Sequence, residues 1–361
     1  MARVFNFAAG PSALPESVLT ECAEEMLDYR GCGMSVLEMS HRSSTYQQIF
    51  DETEATLRRI VDIPSDYKVL FLQGGATLQF AGIPMNLMAT GRAAYIVSGN
   101  FSKKAYQEAC KYGEADVVAT SEWTHFDRVP SVAGVGEFAE TYGYDYLYFC
   151  QNNTIFGTQF HDIPNTGELP LVGDVSSCFL AEPIDVSRYG LLYAGAQKNM
   201  GPSGLAVVIV REDLLGRARP VTPTVLDYQK MADADSMLNT PPTFAIYLLG
   251  LIGHWIEDGG GLEAMAERNR AKAELLYGFI DSSDFYANPV QKRSRSWMNV
   301  PFTLADPALD ADFLAGAQAA GLTNLKGHRS VGGMRASIYH AMPIEGVRAL
   351  IDYMTDFAAR A

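Results

Sequence analysis

Leu191-Leu192-Tyr193-Ala194-Gly195-Ala196-Gln197-Lys198-Asn199-Met200-Gly201-Pro202-Ser203-Gly204-Leu205-Ala206-Val207-Val208-Ile209-Val210 is the stretch on which the reading of this chain turns. Its two apolar runs, 191–194 and 205–210, have the length and composition of buried strands. Between them stands one charge, Lys198, in a turn of Gly, Asn and Pro. A lysine placed between buried strands is shielded from bulk water. That lowers its pKa and leaves a nucleophilic amine, able to condense with an aldehyde cofactor. The alternative is a lysine that merely caps a strand end at the surface.

Similar short runs precede it at Lys68–Leu72, Ala93–Val97, Asp116–Ala119, Tyr144–Cys150 and Leu169–Val172. With the first two they make seven, separated by helical patterns such as Leu19–Tyr29 and Tyr46–Ile60. Such alternation predicts an α/β fold around a mostly parallel sheet of buried strands. Sheets of that kind place ligands beyond the carboxyl ends of their strands, so the residues just after each run gain weight. Asp258-Gly259-Gly260-Gly261 reads as a break. Beyond it come a long helix, strands at Trp297–Phe302 and Met334–Ile338, and helices at Leu309–Ala320 and Ile344–Ala359. The expected division is a large domain over 16–261 and a smaller α+β domain over 262–361, joined by the N-terminal segment 1–15.

The residues at the strand ends carry chemistry. Asp174 follows Leu171-Val172-Gly173; a carboxylate there needs a cation or hydrogen-bond donors. A protonated pyridine nitrogen is one such cation, and the alternative is a cap for the Ser176-Ser177 turn. Gly74-Gly75-Ala76-Thr77 lets backbone N–H groups approach an anion at the start of a helix, or is only a turn. It fits neither common nucleotide-binding pattern. Phe101 is placed to stack on a flat ring or to join the core. Thr154, in Asn152-Asn153-Thr154, is placed to donate to a cofactor oxygen or to finish an ordinary loop. Two His-Arg pairs, His41-Arg42 and His328-Arg329, suit a phosphate monoester, because Arg offers a planar fork of donors and His a further donor or charge. Each residue alone reads equally well as a loop or surface residue.

Composition narrows the classes. The 361 residues are 48% hydrophobic and 19% charged, which is globular. The formal net charge is −14, and the only basic run is Lys292-Arg293-Ser294-Arg295, so a nucleic-acid surface is not expected. An anionic substrate must instead find its cations concentrated in one place. No run is long and apolar enough for a membrane span, and Met1–Pro15 lacks a secretory pattern. The five cysteines are odd in number, with no Cys-x-x-Cys pair, which argues against a disulfide framework or metal site and for a reducing cytoplasm.

Taken together, these blocks resemble a known family. Phe5-Asn6-Phe7, Gly10-Pro11, Ser40-His41-Arg42, Asn152-Asn153-Thr154-Ile155, Gln197-Lys198-Asn199, Asn239-Thr240-Pro241-Pro242-Thr243, Gly327-His328-Arg329 and Gly333-Met334-Arg335 are similar to the class V, fold-type I pyridoxal-phosphate aminotransferases, over essentially the whole chain. The resemblance implies a fold-type I transferase with a seven-stranded, mostly parallel sheet and pyridoxal 5'-phosphate as cofactor. By position, Lys198 would hold the cofactor covalently, Asp174 would pair with its ring nitrogen and Thr154 would touch its ring oxygen. Ala76, Thr77 and Gln197 would contact the cofactor phosphate, joined by Asn239 and Thr240 from a second subunit, so a homodimer with shared active sites is implied. Arg335 would grip the substrate carboxylate, with His41, Arg42, His328 and Arg329 around a substrate phosphate.

Phe101 and Thr77 stand where relatives often carry Trp and Arg. The implied reaction is reversible transamination of 3-phosphooxypyruvate with L-glutamate, giving O-phospho-L-serine and 2-oxoglutarate in serine biosynthesis. A longer phosphorylated substrate of vitamin B6 synthesis is a possible addition. Two other readings stay open: an aminotransferase for an unphosphorylated pair such as serine and glyoxylate, and a binding module that keeps the fold without catalysis. A cysteine desulfurase is excluded, because no cysteine follows Cys178.

Overall fold

The computed structural model describes residues 3–361. Seven strands form its main sheet: β1 (Tyr67–Gln73), β2 (Arg92–Val97), β3 (Glu114–Thr120), β4 (Leu147–Cys150), β5 (Leu171–Asp174), β6 (Leu191–Gly195) and β7 (Leu205–Arg211). They lie in the order β1-β7-β6-β5-β4-β2-β3. Only β7 runs against its neighbours, β1 and β6; the other pairings are parallel. All seven expected runs are present, with one correction. Asp116–Ala119 belongs to β3, which is not buried: it is the sheet's edge, half-exposed along its length. The reason is the strand order, which puts β2 on one side of it and no strand on the other.

The sheet is covered on both faces. One face carries α1 (Ser44–Val61), α2 (Gly75–Leu87) and α3 (Asn100–Ala109) enter as crossovers, and α4 (Thr243–Asp258) packs on α1. Helix α1 starts where the Ser43 hydroxyl accepts the Tyr46 N–H, and it buries Tyr46, Ile49, Phe50, Thr53, Leu57 and Val61, one stripe of the helical period. Gly250 and Gly253 of α4 let the two axes approach. A Cβ on Gly250 would meet Thr53 Oγ1 at 2.6 Å, and one on Gly253 would meet Thr56 Cγ2 at 2.7 Å. The expected helix over Leu19–Tyr29 is instead Glu16–Glu24, followed by bends. The chain turns because Asp28 accepts the Gly33 N–H at 2.7 Å and leaves Leu27 in solvent.

The expected break at 258–261 is a tight turn. Helix α4 runs to Asp258 and α5 (Gly261–Asp281) begins three residues later. Helix α5 straddles two cores: Leu262 and Met265 join the core of the large sheet, while Ala273, Leu276 and Ile280 join a second core. That second core is built on β8 (Asn299–Leu304), β9 (Met334–Ser337) and α6 (Ile344–Ala358). The N-terminal Phe5–Asn6 pairs in parallel with Leu322–Thr323, and Phe7 is fully buried in the same core.

Candidate active site

Parallel strands end together, so the turns after β2, β4, β5 and β6 converge. Lys198 lies in the turn after β6 and is 8% exposed. Its Nζ donates to the Thr154 hydroxyl, in the loop after β4, at 2.8 Å. It also stands 5.2 Å from the centre of the Phe101 ring, at the start of α3. Burial pulls the lysine pKa down. The field of Asp174 opposes that, and Arg335 adds to the lowering. The result is a water-shielded amine that gives up its proton more readily than an exposed lysine.

Asp174 closes β5 and is 5% exposed. One oxygen accepts the Ser176 N–H at 3.0 Å and the other accepts the Tyr193 hydroxyl at 3.1 Å. The Ser176 hydroxyl accepts the Gly195 N–H, tying the ends of β5 and β6 together. The turn-capping alternative for Asp174 therefore describes part of its bonding, with one oxygen engaged in the turn and the other facing β6.

The N-terminal segment crosses the lysine. A Cβ on Gly10 (φ 137°) would lie 3.3 Å from Gln197 Cγ and 3.5 Å from Lys198 Cγ. The Ser12 N–H donates to the Gln197 carbonyl at 3.0 Å, and the Ser12 hydroxyl bonds the Lys198 carbonyl. Gln197 lies against Gly195, whose own added Cβ would be 3.1 Å from Ala76 Cβ. Ala76 and Thr77 are in the first turn of α2, behind Gly74 (φ 91°) and Gly75 (φ 64°). A Cβ on Gly75 would enter open space, so the amides of this turn are accessible to an anion.

Arg335 reaches the same place from β9. Its Nη1 donates to the Thr154 carbonyl at 3.3 Å, and its buried Nε has no partner among the described residues. A guanidinium with an unused buried donor is set up for a carboxylate. His328 is nearby: burial and then the charges of Arg335, Arg329 and Lys104 lower its pKa. Its Nδ1 is bonded to Ser330, which in turn accepts from Asn100 beside Phe101.

The remaining expected residues stand elsewhere. Arg42, Arg329, Asn239 and Thr240 are exposed and His41 is half-exposed. The side chains of His41, Arg42, Asn239 and Thr240 make no hydrogen bond or ion pair among the described residues, although the Thr240 carbonyl accepts from Gln73 at the end of β1. Contacts of Thr53 with Ile246 and of Arg59 with Glu257 show that α1 and α4 run side by side in the same direction. His41-Arg42 and Asn239-Thr240 thus precede the same end of a helix pair.

Several participants escaped the sequence reading. Asn299, fully buried on β8, accepts from Asn152 at 2.9 Å and donates to Ser337 at 3.0 Å and to the Tyr339 hydroxyl at 3.3 Å. The Tyr339 hydroxyl donates to the Ala9 carbonyl at 2.9 Å. This network fastens the N-terminal crossing and the Arg335 strand to the loop that carries Thr154. Asn299 follows Trp297-Met298 in a plain apolar run and gave no signal. Tyr193 did sit in the opening stretch, but its role depends on which strand lies beside β6.

The donor set fits pyridoxal phosphate: an amine, a carboxylate for a cationic ring, a hydroxyl, an aromatic face and accessible helix amides. The profile of the aminotransferase class-V family matches residues 4–350.

The chain belongs to the class-V aminotransferase family.

As a class-V aminotransferase it has near relatives along its full length. The phosphoserine aminotransferase of Pseudomonas entomophila is 57% identical over 356 residues, covering 98% of each chain. That of Aromatoleum aromaticum is 56% identical and covers 100% of each. Among solved structures, the phosphoserine aminotransferase of Bacillus circulans subsp. alkalophilus superposes with a TM-score of 0.95 at 45% identity over 99% of both chains. The pyridoxal-phosphate-bound enzyme of Trichomonas vaginalis gives 0.92 at 38% identity, covering 98% of this chain and 100% of its own.

Proposed function

We propose that this class-V transaminase is a phosphoserine aminotransferase that uses pyridoxal 5'-phosphate to move an amino group between L-glutamate and 3-phosphooxypyruvate, giving O-phospho-L-serine and 2-oxoglutarate in serine biosynthesis. The observation that carries the chemistry is the buried Lys198 amine, bonded to Thr154 and held in the field of Asp174, with the unused Arg335 donor facing the same space. The full-length identity to enzymes of that name supports the phosphorylated substrate.

Bound pyridoxal phosphate supplies an aldehyde for the amino group and a ring that accepts the electron pair released at the substrate Cα. The chain's own groups do the rest. Lys198 would hold the cofactor and, once displaced by the amino substrate, would take the Cα proton and return it to the former aldehyde carbon, on the other side of the nitrogen. Burial lowers its pKa, which favours the neutral form that a base requires. Asp174 keeps the ring nitrogen positive, and Thr154 holds the ring oxygen. Ala76, Thr77 and Gln197 bind the cofactor phosphate. Phe101 covers one ring face and keeps water from it, with less area than an indole would give. Arg335 orients the substrate carboxylate by a two-pronged contact.

The substrate phosphate is read by His328 and Arg329 together with His41 and Arg42. Because the last two share one end of the α1–α4 pair with Asn239 and Thr240, we infer that this exposed patch serves the active site of a second copy, in a homodimer. The two cores bridged by α5 support a division into residues 16–261 and residues 262–361 with 1–15. Five free cysteines fit a cytoplasmic setting, and no helix among the described residues is long and apolar enough to cross a membrane.

The test is a substrate panel with glutamate as amino donor. Turnover with 3-phosphooxypyruvate should exceed that with hydroxypyruvate and glyoxylate by orders of magnitude. Equal turnover of serine with glyoxylate would favour the unphosphorylated pair and overturn the assignment.

A further inference from the structure

A line of buried phenols runs under the sheet's carboxyl edge and ends on Asp174. Tyr193 is paired in register with Asp174 on the neighbouring parallel strand, so both side chains leave the sheet on one face. The Tyr193 hydroxyl lies 3.1 Å from Asp174 Oδ2 and 2.9 Å from the Tyr148 hydroxyl. The Tyr148 ring stacks on Tyr95, whose hydroxyl is 2.7 Å from that of Tyr146. All four rings are at most 1% exposed.

Only one arrangement of protons satisfies the inner part of this line. A carboxylate only accepts, so Tyr193 spends its single proton on Asp174, and Tyr148 must donate to Tyr193. Each donor polarises the next, which strengthens the bond at the carboxylate. The other titratable groups facing Asp174 are Cys150, Cys178 and Lys198, with Arg335 beyond the lysine. Burial pushes both thiols and both phenols well above their usual range, so all four stay neutral. The only side-chain donor to Asp174 among the described residues is Tyr193.

We propose that Tyr193, backed by Tyr148, is a positioning residue: its hydroxyl fixes one oxygen of Asp174 and sets how strongly that carboxylate competes for the proton it shares with the cofactor's ring nitrogen. The inference rests on the function proposed above. Without the phenol the carboxylate is more basic and draws the proton from the ring, which then withdraws electrons less well. The nitrogen joining Lys198 to the cofactor accordingly keeps its proton to higher pH.

The visible absorption of bound pyridoxal phosphate is therefore titrated with pH in the wild-type holoenzyme, in Tyr193→Phe and in Tyr148→Phe. The midpoint should rise by about one pH unit in Tyr193→Phe, the scale of one hydrogen bond to a charged group, and by less in Tyr148→Phe. In Tyr193→Phe, kcat should fall about tenfold while KM for glutamate is unchanged. Folded variants that titrate at the wild-type midpoint overturn the inference and leave the function standing. Should Tyr193→Phe fail to fold, Tyr148→Phe decides alone. A wild-type protein that takes up no pyridoxal phosphate overturns the function and this inference together.

Discussion

Lys198 Nζ donates to Thr154 Oγ1 at 2.8 Å, joining the turn after β6 to the loop after β4 across the end of the one intervening strand, β5. The same amine lies in the field of Asp174 and against the face of Phe101. A side chain buried at such a cost in desolvation is held for its chemistry rather than for stability.

Lys198→Ala should therefore lose transamination while keeping the fold. Removal of a positioned base lowers turnover about 10^3-fold, and loss of the covalent hold adds to this. Since the variant no longer buries a charge, its midpoint of thermal unfolding should equal or exceed that of the cofactor-free wild type. Wild-type turnover in the glutamate half-reaction would show that another group is the reacting amine.

Arg335→Lys keeps the charge and removes the planar fork. With Nε unused inside the protein, the lost contact is to the substrate. KM for glutamate should rise about 10- to 100-fold, equivalent to ~1.5–3 kcal/mol for a hydrogen bond to a charged group, with kcat changed much less. An unaltered KM would place the carboxylate elsewhere.

Asn299→Leu tests the network that ties the N-terminal crossing to the Arg335 strand. The variant takes from the Ser337 and Tyr339 hydroxyls the amide that donates to them, and from the Asn152 amide one acceptor. Denaturant titration should show a loss of about 2–3 kcal/mol, with a raised KM for glutamate. A loss within the ordinary scatter of surface substitutions, about 0.5 kcal/mol, would mean that water replaces the amide without cost.

Lys272 gives the pH dependence. It is 3% exposed on α5, and its Nζ donates to the carbonyls of Ile338 (3.1 Å), Tyr339 (2.8 Å) and Met342 (2.9 Å). Burial pulls its pKa down to about 7, against about 10.4 in an unfolded chain. Between those values the unfolded state binds the extra proton, so this residue makes stability rise with pH; below about 7 it is charged in both states and its penalty is fully felt. Lys272→Met removes the dependence along with the three bonds. The stability difference between wild type and variant should change in favour of the wild type from pH 7 to pH 10. A flat difference would show that the three carbonyls hold the ammonium charged throughout.

Much of the site was legible before any coordinates because strand ends are local events. Gly173 then Asp174, Gln197 then Lys198 and Asn153 then Thr154 each announce an apolar run giving way to a polar group. The edge position of β3 was not legible, because burial of a strand depends on what lies beside it. The helix over Thr243–Asp258 was equally hidden, being apolar nearly all round, so that no stripe marked its period. Nor could the expected helix to Tyr29 be seen to stop at Glu24, since the bends that follow it are held by a contact between Asp28 and Gly33.

The amino-acid order alone placed candidate cofactor-holding groups after five of the seven apolar runs, since the runs and the glycines that punctuate them are written residue by residue. Only the folded chain decided that β5 lies beside β6, which hands Asp174 the Tyr193 hydroxyl. Only the fold brings Arg335 to Thr154, Asn299 to Asn152 of the same loop and Tyr339 to Ala9. Such neighbours come from strand order and from the docking of one core on another. Both are set by the sum of many weak packing contacts across the chain, which no short stretch of sequence contains.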